Sequence, residues 1–391
     1  MGFLETMLER VARFQKRFAL PIIIFVVIIT LFLGIGIKDI SLQTDLTKEM
    51  PQDMPIFKLN DKISDTFGGQ DTVILLFQIE DSLDKRSITD IRHPYVIQSL
   101  IVLEDLLNKE SSIDSVTSAA SSFRGQYFIT TDDVRNILES KQSAQAFFSK
   151  DYKATLMYIR ADVGSSETKI KSLAKIVEDN LDTVPGIPGV KVTLTGNPPM
   201  RAVIGSLLSH DAFYTLSLAA LIILLLLFVM EKSIIKGFLI FAPLSIGLIW
   251  TLGTMGWLGI PLSIATAGLG AMILGLGVEY GVFMLTRYKE ERDKGNNQEQ
   301  SLLVAVPSIG GAIFGSGTTT IVGFLALTLS TLPMLQKLGL SLALGITFTL
   351  ISAIFVAPAI ILLEEDFEYW YTHRKHKQTV EKHEKHLRNK R

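Results

Sequence analysis

Six stretches of this chain are long enough to cross a bilayer and almost free of charge: Phe18–Ile37, Ala212–Met230, Gly237–Leu258, Ile264–Leu285, Ser308–Leu329 and Gly339–Leu363. Each meets the length of about 17–25 apolar residues that a spanning helix needs. Hydrocarbon supplies no hydrogen-bond partners, so such segments satisfy their backbone internally as helices. The fold class expected is therefore a polytopic α-helical membrane protein with six transmembrane helices. The first stretch resembles a cleaved signal peptide, but its apolar run is too long and no small-x-small site follows, so it reads as an uncleaved signal anchor.

Basic residues set the orientation. Arg10, Arg13, Lys16 and Arg17 precede the first span, and Lys232 and Lys236 join the second to the third. Arg287, Lys289, Arg292 and Lys294 follow the fourth, and a basic tail follows the sixth. The opposite connections, Gly259–Ser263 and Ser330–Leu338, carry Lys337 alone. Both termini are expected in the cytoplasm of a cell that places this protein in its plasma membrane, with the segment 38–211 outside.

That outer segment reads as a folded α+β domain, in keeping with a mean hydropathy of +0.35 for the whole chain. Alternating, β-branched runs at Asp71–Gln78, Ser112–Ser118, Ala154–Asp162 and Val190–Thr195 are strands. Helical patterns fill Pro94–Lys109 and Glu167–Leu181, the latter with Ser165 and Ser166 as caps. The order β-α-β, insertion, β-α-β is the split βαβ, ferredoxin-like arrangement. The insertion, Ser121–Ser149, carries helices near Asp132–Glu139 and Ser143–Phe148. After Asn197-Pro198-Pro199 the pattern turns helical and runs into the second span, whereas Lys38–Pro55 is polar and irregular. The domains read as 1–17, 18–37, 38–211, 212–363 and 364–391.

Two further segments flank the spans. Residues 1–17 form an amphipathic pattern, with Phe3, Leu4, Met7, Leu8, Val11 and Phe14 near one face. Such a helix lies on the inner leaflet or simply leads into the bundle. The tail 364–391 holds His373, His376, His383 and His386 in two His-x-x-His pairs. That spacing can hold a metal, although a solvated basic tail touching anionic lipid heads is the simpler reading. The chain has no Cys, which excludes disulfides and thiolate metal sites.

Glu279 is the one acid inside the six apolar stretches. The next cation, Arg287, is about 12 Å further along a helix, beyond the reach of a glutamate. An ionised carboxylate at that depth costs at least ~2.5 kcal/mol. Glu279 is therefore protonated, paired or facing water, which makes it a functional candidate. The structural alternative is a neutral acid bonded to a neighbouring helix as packing glue.

Rows of small residues surround it. Steps of four give Ala267, Ala271, Gly275 and then Glu279, with Gly277 and Gly281 on a second row. In the fifth span the same spacing gives Gly311, Gly315, Thr319 and Gly323. Small residues at this spacing let helices approach closely, so spans four and five are expected at the packed centre with Glu279 facing protein. Thr318, Thr319 and Thr320 can bond a carboxyl group across the interface or their own helix carbonyls. A carboxyl that meets water first from one side and then from the other loads and unloads a proton, and so biases two packings.

The runs GLGVEYGVFMLTRYKEER (Gly275–Arg292), GSGTTTIVGFLALTLS (Gly315–Ser330) and LGLSLALGITFTLISAIFVAPAIILL (Leu338–Leu363) resemble the fourth, fifth and sixth helices of the resistance-nodulation-division (RND) superfamily, in its MmpL-like, hydrophobe/amphiphile efflux branch. The topology of one span, a large outer domain and five spans agrees. Family members usually carry two such halves, so the resemblance implies a homodimer. It places the family's Asp-Tyr proton pair at Glu279 and Tyr280, with Glu in place of Asp, and makes the βαβ modules the place where amphiphiles are captured.

The expected function is a proton-driven exporter of lipids or other hydrophobic compounds, with Glu279, Tyr280 and Thr319 as relay and Ala271, Gly275, Gly315 and Gly323 packing the helices around it. Expected partners are a second copy, membrane lipids and an amphiphilic substrate, with no nucleic acid and no cofactor. A SecDF-like accessory of protein translocation shares the architecture, and a lipid- or sterol-sensing scaffold is the non-pumping alternative. No nucleophile elbow or phosphate-binding glycine loop points to an enzyme or to ATP.

Overall fold

A computed structural model describes residues 3–67, 71–80, 88–164, 167–367 and 370. The chain divides into two compact units, Met1–Gln43 with Leu208–Arg391, and Thr44–Leu207.

The unit Thr44–Leu207 is built on a four-stranded sheet. Its strands are β1 (Asp71–Ile79), β2 (Ser115–Ser118), β3 (Ala154–Ala161) and β4 (Val190–Gly196), in the order β2-β3-β1-β4 with every pair antiparallel. The period of two in β1 buries Val73, Leu75 and Phe77 on one face, and Val73 sits opposite Ile159 of β3. Two helices cover that face: α3 (Pro94–Leu107) with Ile97, Leu100 and Leu103, and α6 (Glu167–Thr183) with Ile170, Leu173 and Val177. His93 caps α3, its Nδ1 accepting from the Tyr95 amide at 3.3 Å. The insertion holds α4 (Thr131–Ser140) and the single turn α5 (Gln142–Gln145). A capping box between Thr130 and Asp133 starts α4. Each strand and helix read from the sequence here is present within a few residues. The helix α2 (Pro55–Phe67) had no counterpart in that reading. Ser165 and Ser166 lie outside the described residues.

Polar groups in this unit find partners in the same chain. Asp90 accepts from Arg92 at 2.9 Å and from Arg135 at 2.8 Å, and the Arg92 guanidinium lies 3.8 Å over the Tyr152 ring. Burial pushes the Asp90 carboxyl up, but the hydrogen bonds from both arginines outweigh it and hold it below the usual carboxylate range. Arg201 is buried, donates to the Gly164 carbonyl at 2.7 Å and lies 4.0 Å from both Asp45 and Asp71. Gly196 ends β4 at φ +113°, and a Cβ there would strike the Thr72 carbonyl, which only glycine avoids.

Among its described residues the membrane unit contains six helices long and apolar enough to cross a bilayer. The first is α1 (Phe3–Ile35), and the second, α7 (Asn197–Glu231), contributes its residues from Leu208 onward. Then follow α8 (Ile234–Trp257), α9 (Leu269–Asp293), α10 (Gln298–Ala326) and α11 (Pro333–Ile351). After α11 comes a π turn at Ser352–Val356, and helix resumes over 357–367. The core is made where α8, α9, α10 and α11 meet, around Ile240, Leu244, Ile273, Tyr280, Ile313, Ile346 and Leu350.

One expectation changes here. The fourth span starts at Leu269, because Ile264–Gly268 is turn. Ser263 N donates to Thr266 Oγ1 at 2.8 Å, and Leu262 is held by backbone bonds to Ser41 and Gln43, so the helix cannot begin earlier. Ala267 therefore precedes the helix.

The N-terminal segment is the first part of α1 and packs one face against the bundle. Phe18 departs from helical geometry (φ −126°, ψ 31°), which relieves the clash of Pro21 with the preceding turn. Before that kink, Leu8, Ala12 and Gln15 are buried while Met7 and Phe14 are exposed. Leu8 packs on Gly310 of α10, and Gln15 Nε2 donates to the Ile354 carbonyl at 2.7 Å. The buried face thus contains Gln15, which an apolar pattern does not register. The histidine pairs of the tail lie outside the described residues.

Candidate functional site

The glycines of α9 and α10 fall into two sets. A Cβ on Gly277 would lie 2.7 Å from Leu244 Cδ1, one on Gly281 2.9 Å from Ile240 Cγ2, and one on Gly317 3.1 Å from Leu350. These are close helix contacts within the bundle. Among the described residues, a Cβ on Gly275, Gly311, Gly315 or Gly323 would meet nothing within 4 Å. Both sets sit on the same two helices.

Glu279 belongs to the open set. One turn after Gly275, it lies on an exposed stripe of α9 with Met272, Leu276 and Phe283. Among the described residues it has no hydrogen-bond or ion-pair partner. Ala271, a turn before Gly275, is half-buried. On α10 the open stripe includes Ala312, Gly315, Ser316, Thr319 and Gly323. Gly275, Gly315 and Gly323, expected to pack the helices around Glu279, meet no other helix of this chain among the described residues. Gly277, Gly281 and Gly317 pack the bundle instead, since a helix has room for one buried stripe and one open stripe at about 100° per residue.

Tyr280 is one step from Glu279 and therefore faces elsewhere. It is 1% exposed and sits in the core with Ile240, Met284 and Ile313. The structure does not bring its ring onto the Glu279 stripe. The three threonines bond their own helix: Thr318 Oγ1 to Phe314 O at 2.7 Å, Thr319 Oγ1 to Ser316 O at 2.7 Å and Thr320 Oγ1 to Ser316 O at 3.1 Å. Thr319 shares the open stripe and retains oxygen lone pairs that can accept a hydrogen bond.

Polar contacts elsewhere in the bundle had no signal in the apolar pattern. Ser352 Oγ donates to Pro243 O at 2.6 Å, and Trp250 Nε1 donates to Thr30 Oγ1 at 2.9 Å. At the end of α9, Arg292 Nε and Tyr288 Oη each donate to Glu365 at 2.8 Å, while Lys289 pairs with Glu231 of α7. The spacing of charges announced a basic loop but not these acidic partners, which come from distant chain positions.

The model of the MMPL family matches residues 50–387. The chain belongs to the MMPL family. It is a multi-pass membrane protein of that family, in the RND superfamily that its helices resemble. It is similar to MJ1562 of Methanocaldococcus jannaschii, described as a membrane protein, with 34% identity over 93% of this chain and 95% of that one. It is also similar to the siderophore exporter MmpL5 of Mycobacterium tuberculosis, 26% identical over 56% of this chain and 23% of MmpL5. The probable transport protein MmpL4 of Mycobacterium leprae is 22% identical over 91% of this chain and 36% of its own length. The chain thus spans about a quarter to a third of these mycobacterial MMPL relatives.

Proposed function

We propose that this MMPL chain works as a homodimer that exports lipids or other amphiphilic compounds, driven by protons that load and unload Glu279. The reading is carried by the face on which Glu279 stands with Gly275, and by the matching row Gly315, Thr319 and Gly323 on α10, over which none of the described residues lies. Glycine in an exposed helix costs about 1 kcal/mol relative to alanine and gains nothing against acyl chains. It contributes in a membrane where another helix comes close. A second copy supplies that helix and removes Glu279 from hydrocarbon.

In this proposal protonated Glu279 donates to a Thr319 oxygen across the seam, because the Thr319 proton is already engaged with Ser316 O. Tyr280 anchors α9 in the core of its own subunit, and so acts as a positioning residue rather than as the acceptor across the seam. Ionisation removes the donor and favours a second packing. The membrane potential adds about 2.3 kcal/mol per charge per 100 mV, enough to bias the two packings.

The unit Thr44–Leu207 is the proposed ferredoxin-like capture domain outside the plasma membrane, with both termini in the cytoplasm. Its strand order supports the first part, and the basic loops support the second. The names of MmpL5 and MmpL4 support transport as the activity.

Proteoliposomes loaded with a pH-sensitive dye and a fluorescent lipid cargo test the reading. Cargo-linked proton movement is expected in the parent chain and absent in Glu279→Gln. Equal flux in the variant overturns the relay. Crosslinking to translocating polypeptides in place of lipid cargo identifies the SecDF-like activity, and an uncoupled lipid binder points to the scaffold.

A further inference from the structure

A recess of about 700 Å³ lies in the membrane unit where the two halves of α1 meet α8 and the π turn. Its floor is Val26, Trp250 and Val356, all buried, and its walls include the exposed rings of Phe14, Phe25 and Phe355. Two irregularities shape it. The Phe18 kink swings the first half of α1 away from the axis of the second, and the extra residue of the π turn turns Phe355 outward. Gln15 bonds the Ile354 and Phe355 carbonyls and fixes these two irregular pieces to each other.

Arg10 stands on the rim of this apolar recess. It is exposed, and among the described residues no carboxylate comes within ion-pair distance of it. The same holds for Arg13 and Arg17 on the same segment. A cation without a counter-charge beside an apolar recess in a membrane calls for an anion that carries an apolar chain. A zwitterionic lipid supplies the chain but brings its own cation.

We infer that this recess binds an anionic phospholipid, with one acyl chain along Val26 and Trp250 and the phosphate against Arg10. The site is separate from the Glu279 face and does not depend on the transport reading. The bound lipid fills the space between the N-terminal segment and the π turn and keeps that segment docked.

Trp250 reports on the site directly. The full chain carrying Trp257→Phe and Trp370→Phe keeps it as the only tryptophan of the three. This protein is reconstituted in phosphatidylcholine vesicles containing either dibrominated phosphatidylglycerol or dibrominated phosphatidylcholine. Brominated phosphatidylglycerol is expected to quench Trp250 at about fivefold lower mole fraction, the factor that one arginine contributes at an anionic surface. Arg10→Gln, an exposed substitution, is expected to equalise the two lipids, whereas Arg13→Gln leaves the preference in place. Ile22→Phe, which fills the recess, should lower quenching by both. Equal quenching in the parent protein, no quenching by either lipid, or a preference that survives Arg10→Gln overturns the assignment.

Discussion

The two faces of α9 and α10 are made of the same residue types and do different work. Gly277, Gly281 and Gly317 touch neighbouring helices of the chain, while a Cβ at Gly275, Gly315 or Gly323 would meet none of the described residues outside its own helix. Tyr280 is packed on the first face and Glu279 is exposed on the second. Small-residue rows therefore mark close approach without saying to what. The chain's own fold accounts for one row, and the other is the row on which the proposed second copy would lie. Asp90 marks the same contrast among acids, because both of its arginines come from its own unit, whereas Glu279 has no such partner among the described residues.

Substitution can break this comparison at several points. Glu279→Gln is expected to have the largest effect, a fall of coupled transport to background with thermal stability and elution volume unchanged, read by flux and by melting on the same preparation. A drop in stability equal to the drop in flux would place Glu279 among the packing residues.

Gly277→Leu and Gly315→Leu separate the faces next. The first drives a side chain into Leu244 and Thr349, 2.7 Å and 3.2 Å from the Cβ position. It should cost about 1–3 kcal/mol, the usual range for overpacking, seen as a lower melting temperature. The second should leave the subunit folded while shifting dimer to monomer in light scattering. Equal melting losses in both would erase the distinction.

The absence of cysteine gives a cleaner, smaller test. Gly315→Cys should crosslink between copies under mild oxidation, whereas Ile222→Cys on the exposed surface of α7 should not. Crosslinking at Ile222 alone would move the seam to α7.

The last test is at Asp90, where Asp90→Asn should cost about 1.5–3 kcal/mol, typical of hydrogen bonds to charged groups. The folded carboxyl titrates below its ordinary value, near 3.9 in an unfolded chain. Its stabilisation is therefore complete above about pH 4 and is lost as pH falls through the folded value. Acid melting of parent and variant should converge there.

Much of this architecture is legible in local chemistry. Apolar length alone marked six spans, and β-rich runs such as DTVILLFQ marked the strands, since both patterns follow from backbone periods of 3.6 and two. The capping box at Thr130 and Asp133 is equally local. The depth of Glu279 needed only a count of residues to Arg287.

Direction is what one sequence leaves open. Gly275 and Gly277 are alike in the chain, and only the packed bundle shows that the second meets Leu244 and the first meets no other helix among the described residues. Tyr280 adjoins Glu279 in sequence yet points into the core, because a helix turns each residue away from the last. The docking of Gln15 on the π turn and the turn at Ile264–Gly268 depend on partners hundreds of residues or a whole connection away. Periodicity fixes which residues share a stripe, because that is a property of one helix. Which stripe is covered belongs to the assembly of many, where contacts between distant segments decide the free energy.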